Sequence, residues 1–179
     1  MKALKTIISN PTNITYSGED KDEKIIYIFR KSYIINFLWI FYTIILVALL
    51  MFLVSSIPAY YGADFIAAGT IFYYLMVFGY AFSQFSNWFF NVYIISNKKI
   101  IDVDLRGIGY KNISEAPIES IEDVTSTVRG FFGMTFNIGS VFVQTAGQSR
   151  EFEFTQIDRP NVVRDLISDI ASNKKRSHR

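Results

Sequence analysis

The sequence predicts an α+β membrane protein, in which a two-helix transmembrane hairpin precedes a small antiparallel β domain that is capped by a C-terminal helix. Two long uncharged apolar segments, a region of alternating apolar and polar residues, and a final amphipathic segment support this fold class. Of the 179 residues, 50% are hydrophobic and 17% are aromatic, which is high for a water-soluble protein. Cysteine is absent and the single histidine is His178, so thiolate chemistry, a histidine-ligated metal site and a Ser/His/Asp triad are all disfavoured. We therefore expect no enzymatic activity, no cofactor and no metal.

The two apolar segments have the length of membrane spans. Residues 33–57 and 65–90 contain no Asp, Glu, Lys, Arg or His. As helices they would be about 37 and 39 Å long, and the hydrocarbon layer of a bilayer is ~30 Å thick. The first segment is too long and begins too far into the chain for a cleaved signal peptide. Residues 58–64 contain Pro58 and Gly62, which favour a tight turn. We predict two transmembrane helices joined by an external turn.

Charged residues that flank the two segments predict the orientation. Arg30 and Lys31 precede the first segment, Lys98 and Lys99 follow the second, and the turn carries only Asp64. Because basic residues are retained on the cytoplasmic side, both termini of this multi-pass chain should lie in the cytoplasm, beneath the cell membrane.

A weakly polar stripe on the second apolar segment predicts contacts within the hairpin. Gly79, Ser83 and Asn87 lie along one face of the predicted helix, and Asn36 lies at the depth of Asn87 in the antiparallel partner. Small and amide residues let transmembrane helices approach closely and form hydrogen bonds. We interpret these four residues as helix–helix contacts, with a substrate-binding role as the alternative.

The stretch "RGFFGMTFNIGSVFVQT", Arg129–Thr145, is apolar but too short and too rich in glycine to span a membrane as a helix. We predict a loop followed by a strand, with Gly147 in the hairpin turn to the next strand. The earlier stretch "KIIDVDL" alternates strictly, so we expect Asp102 and Asp104 on the solvated face of a strand. Residues 91–172 should therefore form a cytoplasmic β domain.

The C-terminal part of this domain carries the periodicity of a helix. Asp158 is in position for an N-cap and Pro160 for the first turn. We predict a helix from about Arg159 to Ser172, with its apolar face on the sheet, and a basic tail at residues 173–179.

The order of these segments resembles the bacterial pleckstrin-homology-like, membrane-flanked domain family. "GEDKDEKIIYIFRKS" looks like the family's lead-in to its spans, within the N-terminal segment 1–32, and it includes a short strand. "YIISNKKII", "APIESIEDV", "FFGMTFNIGSVFVQTAG" and "RPNVVRDLI" are similar to its later strands, turn and terminal helix. Ser96 and Lys99 depart mildly from the family's usual Thr-Asn-x-Arg turn. The resemblance implies a pleckstrin-homology-like barrel of two near-orthogonal sheets closed at one end by the helix, and it supplies no catalytic residues.

The first functional hypothesis is a membrane-anchored module that binds a protein partner or a second copy of itself. An edge strand of an open barrel can pair with an extended peptide. Phe131 and Phe132, next to Arg129, either contact a partner or the membrane surface, or plug the end of the barrel. The expected partners are the lipid bilayer and a protein, and not nucleic acid.

The alternative hypothesis is binding of anionic lipid head groups, which requires clustered basic residues. Residues 97–172 hold eight Lys/Arg against eleven Asp/Glu, a balance of −3, which disfavours a head-group pocket. The tail offers a better electrostatic contact, unless it is only a solvated, disordered segment. The candidate contacts are Lys98, Lys99, Arg106, Lys111, Lys174, Lys175, Arg176 and Arg179.

Overall fold

The computed structural model describes residues 6–11, 16, 22–56, 62–106, 110–146 and 151–177. Two short 3₁₀ turns, Tyr33–Ile35 and Ile118–Ser120, accompany the longer elements. In chain order these are β1 (Ile7–Ser9), β2 (Ile25–Arg30), α1 (Asn36–Ser56), α2 (Ala63–Phe90), β3 (Val92–Ser96), β4 (Lys99–Arg106), β5 (Tyr110–Pro117), β6 (Ile121–Val128), α3 (Gly130–Phe136), β7 (Ile138–Thr145), β8 (Glu151–Asp158) and α4 (Pro160–Ser177).

Several predicted features lie outside the described residues. They are the turn residue Pro58, the hairpin residue Gly147 and the basic residue Arg179. Arg106 ends β4, but its side chain is likewise outside the described part of the chain.

Helices α1 and α2 form an antiparallel pair with little burial. Both are long and apolar enough to cross a membrane, and only 6% of the most apolar window of each is buried. The Tyr73 hydroxyl donates a hydrogen bond to the Leu46 carbonyl oxygen across the pair, at 3.1 Å. Leu50 and Val77 are the buried apolar residues of the pair within the described chain. The two helices are therefore unlike core helices of a soluble domain, which bury an apolar face.

The strands form two antiparallel sheets, as the sequence predicts. One has the order β1-β2-β3-β4-β5 and the other β6-β7-β8. A bridge between Lys31 and Ile157 links them. Among the described strands no continuous ladder joins the sheets, so the structure shows an open arrangement and not a closed barrel.

The strands before the helices belong to the same sheet as the strands after them. β2 pairs with β3, and β1 pairs with β2. Phe29 of β2 is fully buried in the main core. The N-terminal segment therefore supplies part of the domain, which the sequence-based division at residue 91 does not include. A short strand was expected there from the family resemblance, whereas β1 was not.

The main core lies between the two sheets and α4. The inner face of the five-stranded sheet contributes Phe29, Ile95 and Ile100, and β7 and β8 contribute Val141, Val143 and Phe154. Val163 and Ile167 of α4 are 0% and 1% exposed and complete the core, which confirms the predicted apolar face of this helix. A second cluster, on the opposite face of the five-stranded sheet, consists of Ile25, Ile28, Ile94 and Ile101.

The phenylalanine-rich stretch differs from the prediction in its first half. Ile138–Thr145 is the predicted strand, but Gly130–Phe136 is the helix α3 and not a loop. Phe132 stacks on Phe136 one turn later, with ring centroids 6.4 Å apart. Asn137 ends the helix in the left-handed conformation, and its N–H donates to the Gly133 carbonyl.

Helix α4 begins and ends later than predicted. Pro160 is its first residue, as expected, but the residue before it is Arg159, whose carbonyl accepts from the N–H groups of Val162 and Val163. Asp158 is still the last residue of β8, so its predicted N-cap role is wrong. The helix continues to Ser177 and so includes residues 173–177 of the predicted basic tail. Three basic residues occupy its last turn, where they complement the negative end of the helix dipole.

Candidate functional site

The predicted basic contacts do not form one cluster. Lys99 begins β4 and pairs in register with Pro117, whereas Arg106 ends it and pairs with Tyr110. The seven residue-to-residue steps from Lys99 to Arg106 separate the two ends of this strand by about 24 Å. Asn91, at the end of α2, accepts a hydrogen bond from the Leu105 N–H at 2.5 Å. We call this end of the β domain the proximal end, because it adjoins α1 and α2, and we call the end at Lys99 the distal end.

Several of these basic side chains form ion pairs or hydrogen bonds within the protein. The Lys99 ammonium lies 3.1 Å from Glu115 and 3.7 Å from Glu23, and its side chain is 17% exposed. The Lys175 ammonium donates to the Ile121 carbonyl oxygen at 2.6 Å. Lys174 lies 3.9 Å from Glu119. The distal end, which is remote from α1 and α2, therefore carries Lys98, Lys99, Lys174 and Lys175.

Lys111 and Arg129 occupy the proximal half of the domain. Lys111 is exposed on β5, opposite Leu105. Arg129 is exposed immediately before α3, and its backbone is extended. The structure thus divides the predicted lipid contacts between two ends of the domain and leaves no common pocket.

Helix α3 presents an exposed aromatic surface. The relevant exposures are 79% for Phe131, 65% for Phe132, 71% for Met134 and 46% for Phe136. The rings of Phe131 and Phe132 contact each other edge to face, at a centroid distance of 5.9 Å. Phe131 and Phe132 therefore do not plug the end of the domain, and that alternative from the sequence is wrong.

An apolar groove separates α3 from the beginning of α1. Its volume is about 780 Å³. One wall consists of residues in the 3₁₀ turn and first turns of α1, and the other consists of α3 residues and the start of β7. Tyr33, Phe37 and Ile40 line the first wall, and Phe132 and Phe136 line the second. Arg129 also borders the groove, which brings a cation to a mainly apolar site.

A polar cavity of about 650 Å³ lies at the proximal end, between β4–β5 and the edge of β8. Asp102 and Asp104 line it with Lys31, Asn112 and Glu153. The sequence predicts a solvated face for both aspartates, and in the structure they are half-buried and face this polar space between the sheets.

The alternation of side chains along β4 explains this placement. Ile100 is in the main core and Ile101 is in the second cluster, so even-numbered residues of β4 face the space between the sheets. This space is apolar at Ile100, where α4 covers it, and polar at Asp102 and Asp104, where the sheets remain open. In the described part of the chain no group of three His, Cys, Asp or Glu residues has metal-binding geometry.

Tyr93 separates the polar cavity from the core. Its ring stacks on Phe154 at a centroid distance of 4.2 Å, and its hydroxyl oxygen accepts from the Thr155 N–H at 3.1 Å. Burial raises the pKa of Tyr93 to about 12, and the nearby carboxylates Asp102 and Asp104 act in the same direction. The hydrogen bond and the ring contact of Tyr93 link β3 to the edge of β8.

The four residues predicted to contact each other within the hairpin lie in different surroundings. A side chain at Gly79 would meet no atom within 4 Å, so Gly79 does not face α1. The Asn36 side-chain oxygen accepts from Trp39 Nε1 of the same helix, and Asn36 and Asn87 border different cavities. Ser83 is half-buried, and the buried small residue is Ser86. The 3.6-residue spacing identifies a polar stripe but does not fix the rotation of each helix about its axis.

The fold and these surfaces together define a pleckstrin-homology-like α+β protein with two long apolar helices. The family description "Bacterial PH domain" matches residues 33–171. The chain belongs to this family. A solved structure, a DUF1696 family protein with a pleckstrin-homology domain from Shewanella loihica PV-4, is 19% identical, with a TM-score of 0.35 over 46% of this chain and 68% of that one. A comparison with curated proteins finds no match.

Proposed function

We propose that the chain is a membrane-anchored, non-catalytic interaction module, in which α1 and α2 cross the cell membrane and hold the β domain against its cytoplasmic face. The observation that carries this proposal is the exposure of the two apolar helices, of which only 6% of each most apolar window is buried. Exposed apolar helices of this length are stable in lipid and not in water. Lipid would cover the side chains that the protein leaves open.

The charges of the residues that flank the two helices indicate on which side of the membrane the β domain lies. Arg30 and Lys31 lie before α1, and Asp64 is the acidic residue in the first turn of α2. The Arg30 guanidinium lies 5.4 Å from the centre of the Phe89 ring, which fixes a cation at the domain side of the hairpin. The retention of basic residues on the cytoplasmic side supports a cytoplasmic domain.

The edge of β5 supports a binding role by strand addition. β5 has eight residues and pairs with β4 on one side, and no described strand pairs with its other side. Lys111 and Ile113 are exposed along it, the latter at 47%. An unpaired edge of this length offers backbone groups to an extended segment of a partner. We propose a protein or a second copy of the chain as this partner.

The same observations support a role without catalysis. The polar cavity contains carboxylates, but its described lining residues include no histidine or cysteine that could act as a base or nucleophile. The chain contains no cysteine, and its single histidine, His178, lies at the C-terminus.

Site-specific photo-crosslinking in cells tests the proposed edge. A photoreactive amino acid at Lys111 or Ile113 should give the same crosslinked neighbour, identified by mass spectrometry. The same amino acid at Asp169, which is exposed on α4, should not give it. Equal crosslinking at all three positions, or none at β5, would contradict the proposal.

A further inference from the structure

Helix α3 lies beside the point at which α1 would enter the bilayer. The groove between them extends along α1 from Tyr33 to Ile40, which is about 10 Å of helix rise. An interfacial helix buries its apolar face by ~5–10 Å in the head-group and acyl boundary. The aromatic surface of α3 therefore lies at the depth that such a helix occupies.

From this geometry we propose that α3 inserts into the cytoplasmic leaflet beside α1, and that an acyl chain of a bilayer phospholipid fills the groove between them. The inference rests on the proposed membrane anchoring and adds a second, non-spanning contact with lipid. Its surface is defined by Phe131, Phe132, Met134 and Phe136.

The chemistry of the groove fits a phospholipid. Its walls are continuous with the exposed side chains of α1, which the bilayer would cover, so the same acyl environment reaches both walls. Phe37 on α1 is 68% exposed and Phe132 on α3 is 65% exposed, and both line the groove. A protein partner would have to displace the lipid that the proposed anchoring places against the α1 wall.

Basic residues at both ends of α3 complement lipid phosphates. Arg129 precedes the helix and borders the groove. Arg159 follows it in space, because its N–H donates to the Asn137 carbonyl oxygen at 2.8 Å, and its side chain is exposed. A short aromatic-rich helix flanked by arginines fits an interface at which apolar side chains enter the acyl region and basic groups lie near the phosphates.

The depth of α3 can be measured on the full chain, because the chain contains no cysteine and each introduced cysteine is unique. Nitroxide labels at F131C and at M134C, in liposomes of phosphatidylcholine and phosphatidylglycerol, should lose collisions with a water-soluble nickel chelate and gain collisions with oxygen. The matched control D169C, exposed on α4, should remain accessible to the chelate. Both test positions are exposed, so neither substitution removes a core contact.

A label at F72C, nine residues after the start of α2, separates the two proposals. If Phe72 is at bilayer depth and residues 131 and 134 are in water, the insertion of α3 is wrong and the anchor stands. If the label at residue 72 is itself in water, the proposed anchoring fails. A dipolar interaction between labels at residue 131 that disappears on dilution with unlabelled protein would place a second copy on α3, and would overturn the lipid assignment.

The occupant of the groove has its own test. A bimane fluorophore at S140C, on the β7 side of the groove, should be quenched by phosphatidylcholine that carries a nitroxide on its acyl chain. Bimane at D169C should not be quenched. Bilayer depth at residues 131 and 134 without quenching at residue 140 would contradict an acyl chain in the groove.

Discussion

Gly139 of β7 lies against both the backbone of β6 and the first residue of α4. A Cβ atom at this position would overlap the Thr127 carbonyl oxygen and would lie 3.0 Å from Cγ of Pro160. The missing side chain thus allows the first turn of α4 to contact the strand pair. The sequence shows a glycine before an alternating strand, but it does not show which backbone comes near.

Substitution of this glycine should therefore destabilise the domain. We expect Gly139→Ala to lower the free energy of unfolding by about 1–3 kcal/mol, because backbone must move to admit the methyl group. Gly79→Ala is the matched control, since a side chain there meets no atom within 4 Å. Thermal unfolding in detergent, followed by circular dichroism, measures both. Equal midpoints for the two variants would contradict the close approach at Gly139.

Tyr93 should make stability depend on pH in the alkaline range. Its pKa is raised from 10.0 to about 12 by burial, so its contribution is complete below pH 10 and is lost as the pH rises to 12. The protein should lose about 2–3 kcal/mol over this window from this residue alone. Other groups, lysines included, also titrate there, so the relevant quantity is the difference between the wild type and Tyr93→Phe.

Unfolding measured at several pH values between 9 and 12 tests this expectation. The difference in stability between the wild type and Tyr93→Phe should shrink as the pH rises, because the variant has no proton to lose. A constant difference over the whole window would show that the Tyr93 hydroxyl titrates as it does in water.

At the scale of elements, β2 connects the N-terminal segment to the core. It lies between β1 and β3, and Phe29 is 0% exposed. We expect Phe29→Ala to cost about 3–5 kcal/mol of stability, the range for a large buried aromatic residue. Lys24→Ala, at an exposed position near the start of the strand, should change little. Resistance of the domain to proteolysis measures the difference, and similar resistance of both variants would mean that β2 is dispensable.

Most elements follow from local patterns in the sequence. The uncharged segments predict α1 and α2, the alternation of "KIIDVDL" predicts β4, and the apolar face of residues 159–172 predicts α4. Each of these patterns depends only on the geometry of its own helix or strand, so it can be recognised without knowing which other elements pack against it.

Features that depend on several elements could not be predicted in this way. β4 has an apolar set and an acidic set of side chains, and the sequence suggests that the apolar set faces the core. In the structure both faces of β4 pack against apolar residues. Ile100, on the face of Asp102, lies in the main core, and Ile101, on the opposite face, lies in the second cluster. The division of the basic residues between two ends also depends on the length of β4 and on the direction of α4.

Over the whole molecule, the two ends of the β domain differ in character. The proximal end carries the aromatic surface of α3, the apolar groove and exposed Arg129, whereas Lys99, Lys174 and Lys175 at the distal end contact protein groups. If α1 and α2 cross the membrane, the proximal end meets lipid and the distal end and the β5 edge remain open to cytoplasmic partners. In this single orientation the chain can be anchored in the membrane and can bind a partner at the same time.

Labelling of two single-cysteine variants with a membrane-impermeant maleimide tests this orientation most directly. Asp64→Cys lies in the first turn of α2, at the outer end of the hairpin, and Asp169→Cys is exposed on α4. In intact spheroplasts residue 64 should be labelled and residue 169 should be protected until the membrane is permeabilised. Labelling of residue 169 in intact spheroplasts, or protection of residue 64, would contradict a membrane hairpin with a cytoplasmic domain.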